Sequence, residues 1–274
     1  MFKSTFARLI LAGFLAITAS GASLSASHSW GPYHWARTAN PFTLTLINST
    51  TDDWTGYVGT AVGDWSQSTV LDIVEEQGST ESKARRQCQT TLGKLHICNL
   101  AYGYTGWLGI AGISIDSDGH IVTGYTKLND SYFASGYYND PVWKLSVTCQ
   151  ELGHNFGLSH QDEDFDSNDL NSCMDYQDPP YDRPNAHDYD QLEAIYGHTD
   201  SYNSYVSSGG GGGGSGCSAP AGKGCNRAAV GQDNADNGNG WGISLGRRGH
   251  RETFMRIDPD GTRHITFVTW TDGH

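Results

Sequence analysis

Residues 141–157, PVWKLSVTCQELGHNFG, constrain the fold more than any other stretch. Val142, Leu145, Cys149, Leu152 and Phe156 step by three and four residues, the spacing of one apolar stripe along a helix. A stripe of that kind must be buried, so the helix has to back onto a core. Gln150 and His154 lie four residues apart and therefore share a face away from the stripe, with Glu151 beside them. Gly157 can take the positive φ that stops a helix abruptly, and after such a turn His160 can fold back beside His154.

The surroundings read as a mixture of strands and helices. FTLTLIN (42–48) alternates apolar and polar residues, as a half-buried strand does. Trp54, Val58, Ala61 and Trp65 recur at helical spacing in DDWTGYVGTAVGDW. Strand-like runs follow at TVLDIVEE, LHICNLAYG, LGIAGISID and HIVTGYTKLN, and a last helix is expected in AHDYDQLEAIYG, with Asn185 as its N-cap and Asp188 three residues on. The expected fold class is α+β: a twisted mixed sheet of about five strands, the motif helix beneath it and a C-terminal helix. SSGGGGGGSG (207–216) is a flexible linker by composition. Beyond it, ETFMRI and RHITFVTW flank DPDGT and read as a hairpin. The expected organisation is an export signal at 1–26, a body at 27–206, the linker at 207–216 and a small β module at 217–274.

Two histidines six apart, flanking a glycine and preceded by a glutamate, suit a metal ion with a proton acceptor at its side. ELGHNFGLSH resembles the second part of the metzincin zinc-binding motif, HExxHxxGxxH. SCMDY (172–176) is similar to the Met-turn of that family, and YDRPNAHDYDQLEAIYG to the closing helix of matrixin- and serralysin-like domains. The resemblance spans about residues 28–200 and is most specific in the last sixty. It implies a zincin-type catalytic domain in which His154 and His160 are zinc ligands, Glu151 is the general base, Gly157 the turn and Met174 the Met-turn methionine. It also implies that GHIVTGYT is the edge strand that pairs with substrate. The departure is Gln150, which stands where the family has its first histidine. A neutral amide oxygen is a weak, hard donor for zinc, so Gln150 either coordinates weakly or hydrogen-bonds the water that completes the shell. Tyr176 sits where related Met-turns have a tyrosine that ligates zinc or steadies the oxyanion. Its alternative is a packed loop aromatic. His187 and His120 are fallback ligands. Calcium is a second candidate ion, at DSDGH (116–120), otherwise a tight turn, and at DEDFDSND (162–169), otherwise a polar loop.

Charge and cysteine usage set the context. Net charge is −13, and residues 27–216 carry 24 acidic against 8 basic residues. An acidic body repels nucleic acid and anionic membrane surfaces. The resemblance implies a protein or peptide substrate, and a monomer is the expected state. Lys3 and Arg8 precede a short apolar run and then small residues, the pattern of a cleaved secretory signal, so a secreted, extracellular protein is expected. Export favours disulfides. Six cysteines allow fifteen pairings. Neighbours in sequence suggest Cys88 with Cys98 and Cys217 with Cys225, which leaves Cys149 with Cys173. The expected function is that of a zinc-dependent endopeptidase. The alternatives are a catalytically impaired metzincin-like domain that binds peptides, and a carrier for a surface-attaching C-terminal tail.

Overall fold

The computed structural model describes residues 28–134, 136–164, 166–205, 219–223, 225 and 240–271. The expected signal (1–26), the Gly/Ser linker (207–216) and Cys217, with its suggested bond to Cys225, lie outside the described residues.

The architecture is α+β, with a mixed sheet and few helices. The strands are β1 (His34–Trp35), β2 (Phe42–Ser49), β3 (Leu71–Gln77), β4 (Leu95–Leu100), β5 (Trp107–Ile115), β6 (His120–Asn129), β7 (Ile243–Arg248), β8 (Arg251–Ile257) and β9 (Arg263–Trp270). The helices are α1 (Asp52–Trp65), α2 (Ser82–Gln87), α3 (Asp130–Phe133), α4 (Pro141–Asn155) and α5 (Ala186–Ile195). Among the described residues nine strands join one sheet in the order β3-β2-β4-β6-β5-β9-β8-β7, with β1 paired to β6. β2, β3, β4 and β6 run parallel, while β5 is antiparallel to β6 and to β9.

Two expectations need correction. GHIVTGYT falls in β6, which is interior, hydrogen-bonded to β4 on one side and β5 on the other. The last strand of the body on that side is β5. The strands of the C-terminal segment do not make a sheet of their own. β8 and β9 form the expected hairpin, but β9 pairs along β5 from Trp107 to Ile115, so the sheet of the body continues into the tail.

Period-two alternation explains why β9 belongs there. Ile265 and Phe267 point into the main core, among Leu108, Val147, Leu152 and Phe156. Val268 and Trp270 point the other way, into a smaller cluster with Trp107, Ile110 and Trp241. Both faces of β5 are apolar and buried, so a strand alongside it removes an otherwise open edge as well as greasy surface.

α4 packs under β5 and β6, with α1 alongside and β9 at its margin. Asp140 caps it by accepting from Val142 N (2.7 Å), with Pro141 in the first turn, where a missing N–H costs nothing. Three buried hydrogen bonds fix its far end. Trp65 Nε1 donates to Cys149 O (2.9 Å), Trp35 Nε1 to Asn155 O (3.0 Å), and Asn155 Nδ2 to Thr126 Oγ1 (2.9 Å). Asn185 and Asp188 form the reciprocal cap of α5 expected from their spacing. Cys88–Cys98 and Cys149–Cys173 are disulfide-bonded, the second joining α4 to the loop that carries Met174.

Candidate functional site

The end of α4 places the motif side chains as helical geometry requires. Gln150, Glu151 and His154 are all buried, Glu151 completely. Gly157 then takes φ +91°, and a Cβ there would meet Tyr33 O at 2.3 Å, so glycine is required both by conformation and by space. The turn brings His160 back to His154, with the two Nε2 atoms 2.9 Å apart. Met174 lies beneath: its Sδ would be 2.6 Å from a Cβ at Gly153, so the helix can sit on the methionine only through a glycine.

Both imidazoles are oriented through their other nitrogen. His154 Nδ1 lies 2.9 Å from Leu158 O, a contact that makes it the protonated nitrogen and leaves Nε2 a lone pair. His160 Nδ1 faces the Tyr176 hydroxyl at 3.2 Å and Glu163 Oε1 at 3.4 Å. Burial pushes the His154 imidazole down to about 3 and His160 well below the ordinary histidine range, aided in both by the Arg251 cation. They are a neutral pair of converging donors, the form that metal ions bind. Burial pushes the Glu151 carboxyl up to about 7, against the pull of the Thr269 hydroxyl, Arg251 and the Ala111 amide. A carboxyl poised there can both take and give a proton at neutral pH.

The C-terminal hairpin closes the site. Phe267 stacks on the His154 ring, with centroids 4.4 Å apart. Thr269 Oγ1 donates to Glu151 Oε1 at 2.6 Å. The Arg251 guanidinium donates to Gln150 Oε1 and lies 4.0 Å over the Tyr176 ring. With its oxygen held by Arg251, Gln150 turns its amide nitrogen toward His160 Nε2, at 3.3 Å. Gln150 is therefore in reach of the histidines but presents a donor, where a metal ligand must present a lone pair. The two imidazoles have the chemistry that holds a zinc ion, with their Nε2 atoms standing closer together than two ligands of one do; the amide fits one only after Arg251 lets go of its oxygen. A cleft of about 510 Å³, bordered by Trp30, His160, Glu163, Arg248 and Arg251, opens beside the pair.

Of the residues singled out from sequence, the fold gathers Gln150, Glu151, His154, His160, Met174 and Tyr176 at one place, with Cys149–Cys173 behind them. It leaves out the fallback ligands. His187 stacks on His28, and His120 belongs to a separate cluster with His34 and Asp200. Of the acidic loops only Glu163 reaches it, at His160 Nδ1. Asp116 Oδ1 accepts from the amides of Asp118 and His120, both at 3.0 Å, as a tight turn requires, while Asp162 and Asp164 accept from amides two residues on. Arg251, Phe267 and Thr269 carry no motif; Thr269 reaches Glu151 across 118 residues. The alternation in RHITFVTW marks them as strand residues but does not name their partner. No family model matches this chain, and no curated protein matches it.

Proposed function

We propose that the chain is a secreted zinc-dependent endopeptidase with a metzincin-like, matrixin-like body, held latent by its own C-terminal hairpin. The observation that carries this reading is the convergence of the His154 and His160 Nε2 atoms, 2.9 Å apart, next to a buried glutamate on the same helix. The export signal and disulfides fit an extracellular setting, and the acidic composition fits a peptide partner better than nucleic acid. Among the described residues no helix is long and apolar enough to cross a membrane.

His154 and His160 would hold the ion, with Gln150 adding its oxygen once Arg251 withdraws. Bound zinc would supply Lewis acidity toward the scissile carbonyl and toward water. Glu151 takes the proton of the attacking water and returns it to the leaving amine. The Tyr176 hydroxyl donates to the oxyanion that develops on the carbonyl oxygen. A peptide in the cleft would lie along β5 in place of β9, so hydrolysis requires the hairpin to move aside.

The second reading is a catalytically impaired peptide-binding domain. It is favoured by one feature: Gln150 Oε1 and Glu151 Oε1 are already engaged by Arg251 and Thr269. Zinc content of the purified secreted chain, followed by casein and peptide-library cleavage with and without chelator, separates the two. Chelator-sensitive cleavage supports the enzyme. Zinc without cleavage, persisting after Arg251→Ala and Thr269→Val, supports the binding domain. Absence of metal at His154 and His160 sinks the first reading.

A further inference from the structure

A second group of metal-type ligands lies where β1, the start of β6 and the chain after α5 meet. His34, His120 and Asp200 bring one donor atom each within 4.8 Å of one another, and they are the one such group of His, Cys, Asp or Glu among the described residues. Asp200 Oδ1 is the common point. His120 Nε2 lies 3.4 Å from it, His34 Nε2 3.5 Å and His198 Nε2 3.6 Å. His198 Nε2 is also 3.1 Å from His34 Nε2.

The bonds around this group fix which atoms face inward. Asp200 Oδ2 is taken by Arg37, which donates its backbone N–H (3.0 Å) and Nη1 (3.2 Å), so Oδ1 is the oxygen left for the histidines. His34 Nδ1 donates to Pro32 O at 2.7 Å. His120 Nδ1 is 2.7 Å from the Tyr202 hydroxyl, which itself donates to Asp116 Oδ2 at 3.1 Å and so must accept from the imidazole. In the neutral tautomers set by these bonds, the Nε2 atoms of His34 and His120 carry lone pairs. They point at a carboxylate oxygen that is also an acceptor. In His34, His120 and Asp200 three acceptors thus face one another, an arrangement that a cation relieves.

Size and chemistry narrow the ion. A tetrahedral zinc ion with ligands at about 2.0–2.1 Å has ligand–ligand edges of about 3.3–3.4 Å. The separations from Asp200 Oδ1 to the three imidazoles, 3.4 to 3.6 Å, and from His34 to His198, 3.1 Å, fall around that value. Three imidazoles and one carboxylate suit zinc and exclude the hard, oxygen-seeking ions. His34, His120 and Asp200 supply three donors within 4.8 Å of one another, and His198, beside His34 and Asp200, is placed to supply the fourth that closes a structural shell.

We propose that His34, His120, His198 and Asp200 form a structural zinc site that clamps the N-terminal segment onto the sheet and onto the chain leaving α5. The clamp bears on the candidate centre through short links. Tyr33, next to His34, supplies the carbonyl against which Gly157 packs, and Trp35 donates to the last residue of α4. Zinc here would thus steady the turn that sets His160. The site stands independently of whether the chain is a peptidase.

The test uses the full chain carrying His154→Ala and His160→Ala, which removes the ligands of the other centre. After chelation and dialysis it is titrated with Co²⁺ and Zn²⁺. The expected result is about one equivalent bound, with the visible absorption of tetrahedral cobalt and a rise in Tm on zinc addition. Adding His120→Ala should abolish the cobalt signal. His198→Ala, at a half-exposed position that tolerates truncation, should weaken binding by roughly tenfold or more. In the otherwise unsubstituted chain, the same His198→Ala change should lower zinc affinity and the zinc-dependent rise in Tm. The proposal is overturned if the background chain folds and binds no metal. It is equally overturned if binding and Tm are unaffected by both His120→Ala and His198→Ala.

Discussion

Glu151 is the residue on which turnover depends in the proposed mechanism. Its replacement by glutamine keeps the shape and the Thr269 contact but removes proton transfer. Cleavage should fall by roughly 10²–10⁴-fold while zinc content is unchanged, as read by single-turnover assay and elemental analysis. A different residue supplies a pH test. His96, in β4, is held down to about 4 by burial first and by the Lys94 charge second. Its folded pKa lies below its unfolded value of 6.5, so folding favours the neutral ring. The stability this contributes is present above pH 6.5 and is lost as pH falls toward 4, up to ~1–3 kcal/mol. His96→Gln should reduce the slope of urea-denaturation stability across that window, to which the buried His154 and His160 also contribute; an unchanged slope would refute the assignment. At this scale the motif was legible because Gln150, Glu151, His154 and His160 are near neighbours whose geometry is dictated by one helix and one turn. Arg251 and Thr269 were not, because chemistry reached from another strand leaves no spacing to read. The same holds for His34 and His198, which come together only when the two ends of the body meet.

Among the elements, the turn after α4 is the most demanding. Gly157→Ala would place a Cβ in the left-handed region and 2.3 Å from Tyr33 O. A loss of at least about 2 kcal/mol is expected from the backbone strain and the clash together, measurable as a lower urea midpoint. Replacing Cys149 and Cys173 together by serine should cost roughly 2–4 kcal/mol and loosen the seat of Met174, visible as a lower Tm without reductant. The long elements could be read from periodicity and caps. α1 and α5 fall where their apolar spacing and the Asn185 cap put them, β2 where alternation did, and β3 to β6 within the strand-like runs. The short ones, β1, α2 and α3, span two to six residues, too few for a period to register. The order of strands was out of reach as well. β5 and β6 are both buried apolar runs, and periodicity does not say which of two such runs lies inside.

At the scale of the whole molecule, the Gly-rich run suggested a boundary, yet the strands beyond it complete the body's sheet and core. Composition reports where a chain is pliant; it does not report what the far side of the pliant stretch will bind. Arg251→Ala with Thr269→Val removes two polar ties on the site while leaving the apolar staple of β9 intact. At about 1 kcal/mol per hydrogen bond, cleavage by the full chain should rise roughly tenfold or more. No rise would mean that the hairpin does not restrain the centre. The pairing of β9 with β5 also sets an order of events during synthesis. A strand made long after β5 seals a groove lined by those earlier residues, and such distant pairings form slowly. Each nascent molecule therefore passes through an interval in which the body can condense while its edge stands bare, open to a strand added by a neighbour.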